Sequence, residues 1–333
     1  MSAVAKLVNR GRDALFIGPW ADHFWSSRLN GKALCLCFHR VDDPKSFPFL
    51  SEGGVPVIAP ADLKADILFL KRQGFRFITF DDMRKEGGLD PSRPHMILSF
   101  DDCYQDAFHN GGAVLSETGV KAVFFQSTGM VDAKELVWEH EIFWYCREEA
   151  MRRRFTELVH RVLKSDGELS KKQGWELAAY LIGRVDFDNI QKVFEAAREE
   201  FGASGITDLV ARLYVTPKYI QEASGAGHEI ASHGHAHLRR SLISAGLFEQ
   251  DLLLSIEKLQ QWTGRKPLSY AYPYGDYTGG DGSVCAKYFR HVVMTEPGVI
   301  DDRTDPFCLP RSYWARNQKN AVRRKRWLLT GSS

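Results

Sequence analysis

Asp101 and Asp102 stand side by side at the end of the apolar run Ile97-Leu98-Ser99-Phe100. Ile, Leu and Phe suit a buried strand, and Asp is a poor strand former that marks its end. Two adjacent carboxylates repel each other unless a cation or a proton compensates them, which suits a metal ligand beside a general base. By itself such a pair is better read as a turn cap. Asp81-Asp82, after Phe77-Ile78-Thr79-Phe80, has the same look and reads as a helix cap. The first pair gains weight from its company. His228, His233, His235 and His237 fall within ten residues of a chain that has eleven histidines in all. Neutral imidazoles at short spacing are what a zinc-like ion requires. His39 closes the apolar run Ala33-Leu34-Cys35-Leu36-Cys37-Phe38, and α/β folds build their sites at the C-terminal ends of strands. Finally, Tyr270-Ala271-Tyr272-Pro273-Tyr274-Gly275 reads as a strand breaking into a turn, where backbone N–H groups become available.

The elements that must position these residues follow a strand–helix rhythm. Strands are predicted over 33–39, 75–80, 97–102 and 122–125, with helices opening at Pro60 and near Asp106 and ending near Gly74 and Gly119. Pro44 to Pro60 reads as a long loop. This rhythm predicts a parallel sheet or barrel. From about Glu139 to Arg212 helical spacing takes over, as in Ile142, Cys146, Phe155, Leu158, Val159 and Val162, which predicts a helical insertion on the rim. His140-Glu141 invites a zinc-protease reading, but Trp144 stands where that motif needs its second histidine. Arg152-Arg153-Arg154 reads as a solvated helix face. Beyond the insertion, Thr216-Pro217 starts a helix, another runs from Leu247 to Thr263, and the last strands lie near 291–294 and 309–314.

Composition narrows the class. The chain has 333 residues, 44% of them hydrophobic and 26% charged, and a formal charge of +2, which is too balanced to imply nucleic-acid binding. No apolar run approaches the roughly 20 residues of a membrane span. The first ten residues lack the pattern of a secretory signal, and six scattered cysteines read as reduced, so the expectation is a cytoplasmic protein. An amphipathic helix is predicted over 4–16, packing on protein more readily than on a membrane surface. The basic run 323–329 ends in Trp327-Leu328-Leu329 and leaves a peripheral membrane contact open.

Together these stretches resemble the polysaccharide deacetylases with a NodB-like domain, carbohydrate esterase family 4. The resemblance rests on Ser99-Phe100-Asp101-Asp102, on the run from Gly227 to His237 and on 270–275, and it covers roughly 33–130 and 214–315. It implies a distorted (β/α) barrel; with the helical insertion lying outside the resemblance, the expected organisation is an extension over 1–32, barrel segments 33–138 and 214–316, the insertion 139–213 and a basic tail 317–333. It also implies one divalent metal ion, zinc foremost, with cobalt, nickel and manganese as alternatives. Carried over, Asp101 is the catalytic base, while Asp102, His233 and His237 hold the metal. A helical turn would bring residues four apart together, whereas an extended strand would favour His235 instead. Three departures stand out. Gly234 replaces the Ser or Thr that follows the first metal histidine, and Ala271 stands where an Arg is expected, a role Arg311 is expected to fill. The C-terminal motif that carries the catalytic acid is absent after 237, but Leu36-Cys37-Phe38-His39 resembles it in permuted position and assigns the acid to His39. Tyr274, after Pro273, supplies an oxyanion-binding N–H. The implied activity is hydrolysis of an N-acyl group, acetyl first, from an amino sugar of a polysaccharide or glycoconjugate. The rivals are hydrolysis of a small non-sugar amide or cyclic imide, and an inactive carbohydrate-binding relative. The oligomeric state is left open.

Overall fold

Alternation within the strands determines what faces the centre of this molecule. The computed structural model describes residues 24, 26–85, 88–202 and 206–313, so the helix expected over 4–16 and the basic run 323–329 lie outside the described residues. Strand β1 is Ala33–Phe38, and two short strands, β2 (Arg40–Val41) and β3 (Val57–Ile58), pair with each other beside it. The main sheet continues through β4 (Arg76–Phe77), β5 (His95–Asp101), β6 (Val123–Gln126), β7 (Glu229–Ser232), β8 (Ser269–Ala271), β9 (His291–Val293) and β10 (Ser312–Tyr313). Its spatial order is β10-β1-β5-β6-β7-β8-β9, with β4 beside the start of β5, and every pairing is parallel. Leu309 bridges to Val293 of β9 while Ser312 pairs with Leu36 of β1. One short segment therefore clasps both edges, and the sheet curls into a distorted (β/α) barrel.

Along β1, Ala33 and Cys35 point inward with Ile97, Val123, Phe125, Ala231, Ala271 and Val293, forming the small barrel interior. Leu34, Leu36 and Phe38 point outward with Leu98, Phe100 and Phe124, onto the surrounding helices. The same period of two carries Asp101 inward after Ile97 and Ser99, and Arg311 inward after Leu309. Between β6 and β7 the chain leaves the sheet for helices Trp138–Cys146, Glu149–Val162, Gly174–Arg184, Phe187–Phe201 and Ile206–Leu213. Their apolar stripes, including Ile142, Phe155, Leu158, Leu181 and Phe194, join the outer core. No helix among the described residues is long and apolar enough to cross a membrane.

Two local expectations need correcting. The stretch 44–60 is not all loop: it holds the helix Pro48–Gly53 as well as β3. Its Pro and Gly content hid a turn stabilised by tertiary contact, since Phe49 and Leu50 are buried and Gly53 lies flat against the Phe143 ring. The strand expected over 75–80 stops at Phe77, because Thr79 and Asp82 cap the helix Phe80–Lys85 reciprocally. The Thr79 N–H donates to Asp82 Oδ2 and the Asp82 N–H donates to Thr79 Oγ1, each at 3.1 Å. Asp82→Ala should therefore lower stability by about 1 kcal/mol in a denaturant titration. Its metal content should equal that of the wild type, which would separate this Asp-Asp pair from the one at 101–102.

Candidate active site

The C-terminal ends of β1, β5 and β7 and the approach to β10 meet at one mouth of the barrel, where a cavity of about 710 Å³ opens. Asp101, the last residue of β5, is buried there. Arg311 donates to both of its carboxylate oxygens, at 2.5 and 2.8 Å, and the Cys37 thiol donates to Oδ2 at 3.5 Å. Strand alternation would send Asp102 outward. Instead its backbone is left-handed (φ 66°), which turns the side chain back toward the same mouth. Its Oδ1 lies 3.2 Å from His237 Nε2 and 3.7 Å from His233 Nε2.

Both imidazoles are held from behind. His233 Nδ1 donates to the Ala271 carbonyl at 2.7 Å, and His237 Nδ1 donates to Glu139 Oε2 at 2.9 Å. Each ring therefore presents Nε2 to Asp102. One ligand atom from each of the three residues falls within 4.8 Å of the others, and Asp102 Oδ1 is buried with no hydrogen-bond partner. One oxygen and two imidazole nitrogens, all fixed by outer partners, are a donor set that fits a zinc-like divalent ion. The orphaned oxygen is the gap such an ion would fill.

The two carboxylates are opposites electrostatically. Burial works to raise Asp101, but the Arg311 guanidinium, aided by His233, holds it well below the usual carboxylate range. Burial raises Asp102 to about 7, with Glu139 and Asp101 adding repulsion that the attraction of His237 does not offset. His237 itself rises to about 9 against the pull of burial, because Glu139 and Asp102 flank it. His233 is lowered to about 3 by burial and stays neutral, as a ligand must.

Of the other predicted residues, His39 lines the cavity, with its ring stacked 6.0 Å from that of Tyr313 and Nδ1 4.0 Å from Cys37 Sγ. Tyr274 lines it too, in a turn after Pro273 with φ 60°. His235 is elsewhere: its Nδ1 faces Thr128 Oγ1 at 3.0 Å, and its backbone N–H donates to Asp251. The helical turn considered for 233–237 does not form. Left-handed residues at Gly234 and His237 fold this stretch into an irregular loop, which brings residues four apart together all the same. Only glycine suits position 234, where a Cβ would come within 2.5 Å of Asp251 Oδ2. Asp251 also accepts the Ala236 N–H, so it braces the loop that Ser or Thr was expected to brace.

Glu139, Tyr104 and Asp251 escaped the sequence reading. The Tyr104 hydroxyl lies 2.7 Å from His140 Nε2, whose Nδ1 meets the Tyr214 hydroxyl at 2.6 Å. The only signal for Glu139 was its place next to His140-Glu141, a pair set aside as a failed protease motif.

With this geometry in view, residues 88–284 match the family model described as polysaccharide deacetylase. No curated protein matches the chain. Among solved structures, a polysaccharide deacetylase from Bacillus cereus is 16% identical, over 90% of this chain and 69% of that one, with a TM-score of 0.57. The Streptococcus pyogenes deacetylase PplD, solved with acetate, is 15% identical over 91% and 99%, with a TM-score of 0.58. IcaB from Ammonifex degensii is 15% identical over 90% and 97%, with a TM-score of 0.56. These three share the fold.

Two variants test the centre without reference to turnover. Glu139→Gln should weaken zinc affinity about 10- to 100-fold, read by competition with a chromophoric chelator. His235→Ala should bind zinc like the wild type, whereas His237→Ala should lose it; a reversed pair would make His235 the ligand.

Proposed function

This chain belongs to the polysaccharide deacetylase family, and from that membership we propose that it is a metal-dependent hydrolase removing an N-acyl group, acetyl first, from an amino sugar in polysaccharide or glycoconjugate biosynthesis. The observation that carries the reading is the contrast between neighbours: Asp101 held ionised by Arg311, and Asp102 offering an unpartnered oxygen beside two oriented imidazoles. We assign the metal to Asp102, His233 and His237, with zinc as the first choice of ion. When bound, such an ion polarises an amide carbonyl and acidifies water.

The chain's own groups do the rest. Asp101 accepts the proton of the attacking water, and Arg311 keeps that carboxylate ionised and fixed in place. The backbone N–H of Tyr274 donates to the oxygen that gains charge as the carbonyl carbon becomes tetrahedral. His39 donates an imidazole proton to the leaving nitrogen, and its stacking on Tyr313 sets the ring's orientation. The products are a carboxylic acid and a free amine. Phe143 and Trp175 also line the cavity and offer apolar faces to a sugar ring.

Two measurements test this assignment. Asp101→Asn should retain zinc while acetate release from N-acetylated amino sugars falls by about 10²- to 10⁴-fold. Failure to load zinc, cobalt, nickel or manganese on the wild-type chain would leave only a binding role. Arg311→Gln removes the cation that holds Asp101 down, so the base protonates at higher pH. The acid limb of the kcat/KM profile should then move upward, and an unmoved limb would mean that Asp101 is not the base.

A further inference from the structure

We infer that Arg239 binds an anionic group on the substrate, so that the amino sugar carries a phosphate or carboxylate close to the acylated ring; this rests on the deacetylase reading above. Nearly all the charges lining the cavity are already matched. Asp101 is taken by Arg311, Glu139 by His237, and Asp102 faces both imidazoles. Two charges are left over: Glu52, which is exposed and makes no ion pair with Arg239, and Arg239 itself. No carboxylate among the described residues pairs with it, and its one hydrogen bond there runs from Nε to the Ile182 carbonyl at 3.2 Å. Its two terminal amino groups are therefore uncommitted, and a guanidinium edge of this kind matches two oxygens of a phosphate or carboxylate.

The placement is fixed. Arg239 follows His237 by two residues, and its guanidinium carbon stacks 4.2 Å over the Tyr274 ring. That ring is in turn 4.8 Å from the His237 ring, so a single aromatic side chain separates the cation from a metal ligand. Arg239 is the one arginine or lysine among the described residues lining the cavity, and beside it lie the apolar side chains of Phe143, Trp175, Ala178, Ala179 and Ile182. The unpartnered Tyr274 hydroxyl and the Glu52 carboxylate are left for a sugar's hydroxyls, and one oxyanion on Arg239 would fix the ring against the apolar side chains.

The test is calorimetric titration of the zinc-loaded full chain with N-acetylglucosamine, N-acetylglucosamine 1-phosphate and N-acetylmuramic acid, with acetate release followed on the same samples. At least one anionic sugar should bind about 10- to 100-fold more tightly than the neutral one. The preferred anion tells phosphate from carboxylate. In Arg239→Gln that ratio should fall to near one, and Arg239→Lys, which keeps the charge, should retain part of it. Equal affinities in the wild type, a ratio that survives in Arg239→Gln, or no binding of any sugar would each overturn the inference. Acetate release without anion preference sinks the inference and spares the deacetylase reading. An Arg239-dependent preference without acetate release does the reverse.

Discussion

The arrangement depends on keeping two adjacent carboxylates buried at one barrel mouth. Left alone, Asp101 and Asp102 would repel each other, and one would take up a proton. The fold resolves this by giving them different partners. Asp101 receives a permanent guanidinium in a two-point contact, and Asp102 is directed at two imidazoles with an oxygen to spare. A buried ion pair of this sort does little for stability, because the attraction is largely consumed by desolvation. What it governs is charge: Asp101 stays ionised beside Arg311, while Asp102 keeps an unpartnered oxygen facing two imidazoles.

The helices between β6 and β7 belong to the same device. Glu139 opens the helix Trp138–Cys146 and reaches His237, and the next residue, His140, sits between Tyr104 and Tyr214. Trp138 donates from Nε1 to the His237 carbonyl. The barrel thus supplies Asp102, His233 and His237, and the added helices hold His237 in position and line the cavity. This division fits a polar network in which Glu139, His140 and both candidate histidine ligands are held by hydrogen bonds while the Asp102 oxygen is left unpartnered.

Much of this was legible in one dimension where periodicity governs. His39 and Asp101 stood out as polar residues closing apolar runs, Arg311 was expected beside Asp101 from the family resemblance, and Asp81-Asp82 was read as a helix cap. What could not be read depends on backbone sign and on distant packing. Nothing in the letters marks Asp102 and His237 as left-handed, yet both turn back to the site for that reason. Likewise, a glutamate from an inserted helix and an aspartate at position 251 acquire meaning only through contacts across 98 and 15 or 16 residues. The loop over 233–237 shows both sides of this: its cluster of histidines was apparent, but its left-handed turns at Gly234 and His237 were not.

The clasp formed by residues 309–313 has a consequence for how this protein is made. Asp101 and Arg311 are 210 residues apart in sequence, and the segment bearing Arg311 also joins β1 to β9. A nascent chain on the ribosome can form β1, β5 and β6 early, but their mouth then holds a carboxylate without its counter-ion. Barrel closure and neutralisation of that charge both depend on the same C-terminal segment, through contacts of high sequence separation. Assembly of the reaction centre is therefore coupled to completion of the barrel, and a chain stalled before residue 311 would present an open sheet edge together with an unbalanced site.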